Sequence, residues 1–286
     1  MKLKSKIALV TGASQGLGKA IADAFVKEGA HVAICARDSE MVEVVAKELR
    51  AQVVDDQRIF ATGCDVSSSD QVERLFSEIS AQLGPVEILV NNAGIYGPKG
   101  QSESVSFVEW ARAIEINLYG TFLPCQHGIR YMKRAGRGKI INLSGGGATA
   151  PLPRLSAYAA SKAAVVRLTE TLAEELREYA IDVNAIAPGA LNTRLLGEVL
   201  RAGSDAVGKE FYDKSVKQRN SGGVPLEKAA SLCVYLASGI SDGITGKLIS
   251  AQWDPWENLH THREQLSKSD VYTLRRIVPE DRNLKW

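Results

Sequence analysis

The chain has 286 residues, 45% of them hydrophobic and 24% charged, with a formal net charge of +2. That balance excludes a disordered chain, and it supplies no strong field to draw in nucleic acid or an anionic lipid surface. No apolar run approaches the ~18 residues of a membrane span, and the run after the basic N-terminus is too short for a signal-peptide core. Cys35, Cys64, Cys125 and Cys233 form no CxxC pair and read as free, mostly buried thiols of a cytoplasmic protein. His260 and His262 flank one threonine with no third ligand at a recognisable spacing, so no metal site is expected.

In chain order, short runs rich in Val and Ile alternate with stretches of helical period. KIALV (6–10) reads as a strand, and the next segment repeats Leu17, Ala20, Ile21, Ala24 and Phe25 at helical spacing, ending at Gly29. Strands are then expected at 31–36, 58–65, 86–94, 139–144, 181–189 and 247–250. Helices are expected at 39–50, near 69–83 and near 155–180. The strands are continuous apolar runs, which suits a parallel sheet covered on both faces. The rhythm predicts one doubly wound α/β domain over 1–250, with a mostly parallel, Rossmann-like sheet of seven strands. Residues 192–224 are mixed and dotted with glycine after a strand end, where a substrate lid would sit. Residues 251–286 carry three of the four tryptophans and read as a tail docked on its own domain or on a partner subunit.

TGASQGLG (11–18) joins the first strand to the first helix. Its glycines Gly12, Gly16 and Gly18 allow a tight turn and a close approach of phosphate to backbone, with Ser14, Gln15 and Leu17 between them. The helix N-terminus behind them suits a pyrophosphate. The second strand ends in Ala36 and Arg37, where a site for NAD usually places an acid against the ribose 2′-hydroxyl. A guanidinium suits a 2′-phosphate, so NADP is expected over NAD, although Asp38 follows directly.

Farther on come Asp65-Val66, NNAG (91–94), Asn117, Tyr158-x-x-x-Lys162 and PGALNT (188–193). In this order, over roughly residues 5–250, the set resembles the short-chain dehydrogenase/reductase family. The resemblance implies an NAD(P)-dependent oxidoreductase acting on a secondary alcohol or ketone, assembled as a homo-tetramer or homo-dimer. It implies that Asp65 and Val66 flank the adenine, and that Asn92, Ala93 and Gly94 border the cofactor. Pro188, Gly189 and Thr193 would line the nicotinamide side, and Asn117 would hold a water linking Lys162 to solvent. Tyr158 would exchange the proton. A tyrosine has an ordinary pKa of ~10, and Lys162 one turn along places a positive charge that favours the phenolate.

One position departs from the family. Its serine is expected thirteen residues before the tyrosine, and residue 145 is glycine. Ser144 lies one step away and should face the other side of an extended strand. Three replacements for the lost hydroxyl are open: the N–H groups of Gly145, Gly146 and Gly147, a reoriented Ser144, or a hydroxyl on the substrate itself. The glycines also leave room for a bulky, sugar-like substrate. A cofactor-binding scaffold without turnover is the alternative in another functional class.

Overall fold

The computed structural model describes residues 1–285; Trp286, the end of the predicted tail, lies outside the described residues. Seven parallel strands form one sheet in the order β3-β2-β1-β4-β5-β6-β7. They are β1 (Ile7–Thr11), β2 (His31–Ala36), β3 (Ile59–Gly63), β4 (Ile88–Asn91), β5 (Gly138–Leu143), β6 (Ile181–Ala187) and β7 (Leu248–Ser250). The predicted β4 is too long: after Asn91 the chain leaves the sheet, because Asn92, Ala93 and Gly94 turn along its C-terminal edge.

Every β1 residue is buried, and alternate residues serve opposite faces. Ala8 and Val10 join a core with Ile21 and Phe25 of α1 (Gly16–Lys27), Val45 and Leu49 of α2 (Ser39–Arg50), and α9 (Leu226–Ala237). Ile7 and Leu9 join the opposite core with Leu75 and Phe76 of α3 (Ser69–Gln82), Met132 of α5 (Gly120–Ala135), and Leu172 of α6 (Ser156–Glu175). Burial on both faces makes period-two strands read as unbroken apolar runs.

Three regions hold helices that the sequence pattern does not announce. Between β4 and β5 lie α4 (Phe107–Ile114), a π-helical turn over Glu115–Tyr119, and α5. Gly120, Pro124 and Gly128 interrupt the helical pattern there. The predicted lid is two helices, α7 (Arg194–Val207), kinked at Gly203, and α8 (Lys209–Ser221). Immediately after it, α9 packs on α1.

The tail packs on this chain. Trp256 and Leu259 lie in a turn over Trp256–His262, Leu266 lies in α10 (Arg263–Ser267), and all three join the α1–α9 core. The Trp256 ring rests on Tyr235 at 5.8 Å between centroids, and its indole donates to the Ala251 carbonyl. Farther along, the Leu248 N–H donates to the Tyr272 carbonyl at 2.8 Å, so the tail pairs with the edge strand β7. No helix among the described residues is long and apolar enough to cross a membrane. Cys35, Cys64, Cys125 and Cys233 are buried free thiols.

Candidate active site

The C-terminal ends of β1 and β4, where the strand order reverses direction, open into one cleft. Its walls include Gly12, Ser14, Gln15, Gly16, Leu17, Arg37, Asp65, Val66, Asn92, Ala93, Gly94, Ser144, Tyr158, Lys162, Pro188 and Thr193. Such a crevice at a topological switch point is where open α/β sheets bind ligands. Two predicted cofactor residues stand behind the walls. Gly18 packs against the Gly12 carbonyl and the Asn92 amide, and Gly189 backs onto Val224 and Gln252.

The glycine turn fits a dinucleotide phosphate. Gly12 and Gly16 have φ of +64° and +57°, and a Cβ on Gly12 would lie 2.7 Å from the Ala93 Cα. Helix α1 begins without a capping side chain and without an acid in its first turn. Its leading amides and its positive end are therefore open to an anion. Asn92 fixes this turn from below: its Nδ2 donates to the carbonyls of Thr11 and Gly12, both at 3.0 Å. Asn92 is thus a support of the glycine turn as well as a wall.

At the end of β2, Asp38 caps a helix. It is the N-cap of α2, and its Oδ1 accepts from the Met41 N–H at 3.0 Å. Arg37 beside it is exposed and makes no ion pair among the described residues. Burial works to raise the Asp65 pKa, but bonds from Ser67 and Arg112 outweigh it and hold the carboxylate below its usual range.

Tyr158 and Lys162 share one face of α6, with the ammonium 5.8 Å from the phenol ring centroid. Lys162 is buried and donates to the Leu143 carbonyl at 2.7 Å. Burial lowers its pKa to about 8. The Tyr158 pKa moves opposite to the sequence expectation. Burial, and then repulsion from Tyr96, raise it. Asn117 is tied to the neighbouring loop and helix. Its side chain is enclosed and fully bonded, giving to the Ile95 carbonyl and Ser161 Oγ and accepting from the Ile95 N–H, each at 2.9 Å. Its backbone carbonyl, in the π-helical turn, accepts from Thr121 Oγ1 at 2.8 Å.

Residue 145 explains its own composition. A Cβ built there would lie 2.2 Å from the Tyr158 hydroxyl, so the phenol occupies the place of a side chain. Ser144 does not turn wholly away from the site, because it lies in the cleft wall. Its Oγ, however, is enclosed and has no hydrogen-bond partner.

Several site features escape the motif reading. Ile95, Ile116, Leu143, Leu191, Arg194 and Leu195 complete the cleft. Tyr96 sits edge-on to Tyr158 at 4.6 Å between centroids. A buried amide ladder runs from Asn91 to Asn142 to Thr169, tying β4 and β5 to α6. A polar residue inside an apolar run, such as Asn142, was the available signal for that ladder.

Residues 6–202 match the family model described as short chain dehydrogenase. The 3beta-hydroxysteroid dehydrogenase 1 of Eggerthella lenta is 37% identical over 251 residues, covering 85% of this chain and 91% of that protein. A gluconate 5-dehydrogenase from Burkholderia cenocepacia, solved with NADP and tartrate, superposes with a TM-score of 0.76 at 28% identity, over 87% of this chain and 94% of that one. An NAD+-bound xylitol dehydrogenase superposes at 0.79 and 28% identity, over 87% and 98%.

Proposed function

The chain belongs to the short-chain dehydrogenase/reductase family of oxidoreductases, and from that premise we propose that it uses NADP to interconvert a secondary alcohol and a ketone. The observation that carries the cofactor choice is the division of labour at the end of β2. Asp38 is held as a helix cap while Arg37 stands free at the cleft. The cap takes up Asp38 Oδ1 and fixes that side chain toward α2, while the guanidinium beside it in the same cleft matches a 2′-phosphate. NADPH should therefore bind at least about tenfold more tightly than NADH, a difference of ~1.4 kcal/mol. Arg37→Ala should erase that difference. Titration by nicotinamide fluorescence tests both, and equal or tighter binding of NADH overturns the cofactor assignment.

The bound cofactor supplies or accepts the hydride. The chain's own residues handle the proton and the geometry. Tyr158, held protonated by its burial, gives its proton to the carbonyl oxygen in the direction of reduction. Lys162 then stands near enough to stabilise the phenolate left behind. Asn117 fixes Ile95 and so the loop bordering the reacting face. The leading amides of α1 would hold the pyrophosphate, and Asp65 and Val66 would flank the adenine. Tyr158→Phe should abolish turnover while leaving NADPH affinity intact. The gluconate and xylitol dehydrogenases among the structural neighbours support a polyol- or sugar-like substrate, and family membership supports a homo-dimer or homo-tetramer. A cofactor-binding protein without turnover is a second reading that Gly145 alone favours. Wild-type protein that binds NADPH but reduces no carbonyl would establish it.

A further inference from the structure

As a ketone is reduced, negative charge grows on its oxygen, and a second donor beside the proton source lowers that barrier. Position 145 has no hydroxyl to offer. Ser144 Oγ is enclosed, and a hydroxyl closed to solvent is closed to a substrate oxygen as well. The Cβ direction of Gly145 is filled by the Tyr158 hydroxyl.

Tyr96 is placed differently. Its ring meets Tyr158 edge-on, with centroids 4.6 Å apart and planes at 61°. Among the described residues its hydroxyl has no hydrogen-bond partner, it is not one of the enclosed orphan polar atoms, and the residue is partly exposed. The loop presenting it is held firmly. Asn117 grips both the N–H and the C=O of Ile95, and Lys99, 5.8 Å from the Tyr96 centroid, reaches across to Glu198 of the lid at 3.7 Å.

We propose that Tyr96 is a further catalytic residue, whose phenol donates a hydrogen bond to the substrate oxygen opposite Tyr158 and takes over from the hydroxyl missing at Gly145. The proposal rests on the alcohol–ketone reading above. The two tyrosines divide the work. Hydride reaches the carbonyl carbon, the C=O π pair moves to oxygen, and Tyr158 gives up the proton that completes the alcohol. Tyr96 keeps its own proton throughout. Burial and the nearby Glu198 carboxylate both hold Tyr96 in the neutral, donating form. Lys162, which stabilises a phenolate, stands beside Tyr158.

The test is Tyr96→Phe, which keeps the ring against Tyr158 and removes only the donor. Steady-state reduction by NADPH of the best ketone from a panel is compared in wild type, Tyr96→Phe and Tyr158→Phe, with NADPH titrations and thermal melts alongside. The expected result is a fall of roughly 10²–10³ in kcat/KM for Tyr96→Phe, carried mainly by kcat. NADPH affinity and melting temperature should stay unchanged. Turnover within a few-fold of wild type, beside an inactive Tyr158→Phe, would overturn the proposal alone and return the role to the backbone of Gly145–Gly147. A loss matched by weaker NADPH binding or a lower melting temperature would make Tyr96 a packing residue and overturn it as well. A wild type that binds NADPH but reduces no ketone would overturn both this proposal and the reading beneath it.

Discussion

Gly145 and Lys162 show how single residues shape this site at a cost. Returning the family hydroxyl by Gly145→Ser should not help, because the new Cβ must displace the Tyr158 hydroxyl from a position 2.2 Å away. Turnover should fall about tenfold or more with NADPH affinity unchanged, and a rise in kcat would show that Tyr158 moves freely. Lys162 carries a different load. Its pKa of about 8, against 10.5 for an exposed lysine, means that the folded protein below pH 8 holds a desolvated ammonium at a penalty on the order of 3 kcal/mol. Between about pH 8 and 10.5 the folded state has lost that proton and the unfolded state keeps it, so unfolding takes up a proton and stability rises with pH. Burial raises the Cys125 and Cys233 thiols and works the other way above about pH 9, so between about pH 7 and about pH 9.5 the melting temperature of the cofactor-free wild type should rise more, or fall less, than that of Lys162→Met. The same slope in both proteins would remove Lys162 as its source. The pairing of Tyr158 and Lys162 was legible in sequence because their spacing is one helical turn. Their proton affinities were not, since burial depends on Leu143, Tyr96 and the rest of the enclosure.

Among the elements, the strands were plain because each is short, apolar and closed by a turn; β2 and α2 fall where composition puts them. Helices whose interiors carry Gly or Pro for packing reasons were hidden. Val66 lies 2.6 Å from where a Gly120 Cβ would stand, so α5 approaches the cleft only because that residue is bare. The lid concealed its helices in the same way, with Gly197, Gly203 and Gly208 spread through α7 and its end. What fixes the lid was equally invisible. The Arg154 guanidinium donates to the Asp205 carbonyl at 2.5 Å, joining the loop before α6 to the far end of α7. If α7 and α8 close over substrate as the predicted lid, Arg154→Ala should loosen them by about 1 kcal/mol, roughly fivefold in KM, with little change in kcat. An unchanged KM would mean that Lys99 and Glu198 hold the lid without it.

At the scale of the whole molecule, the two cores are unequal in kind. The core around α3, α5 and α6 is built within the strand–helix rhythm, whereas the α1–α9 core borrows Trp256, Leu259 and Leu266 from the tail. Composition marked the tail as too aromatic to be loose, but the surface it covers is set by Tyr235 and by the free edge of β7, which no local pattern announces. Trp256→Ala should remove about 3–5 kcal/mol from the stability seen in denaturant unfolding, because a nearly enclosed indole is lost from a packed core. A smaller loss would mean that Leu259 and Leu266 dock alone.

The pairing of Leu248 with Tyr272 also sets a clock on synthesis. The edge of β7 can form as soon as that strand meets β6, but the residue that covers it lies about twenty positions farther along the chain. At the ~5–20 residues per second of translation, an open strand edge and the bare face of α9 wait on the order of 1–4 s for their cover. Neighbouring chains on one messenger share that interval, and an uncovered edge is a template for another strand. The yield of soluble protein should therefore depend on how fast codons 250 to 272 are read, although the finished fold does not change with them.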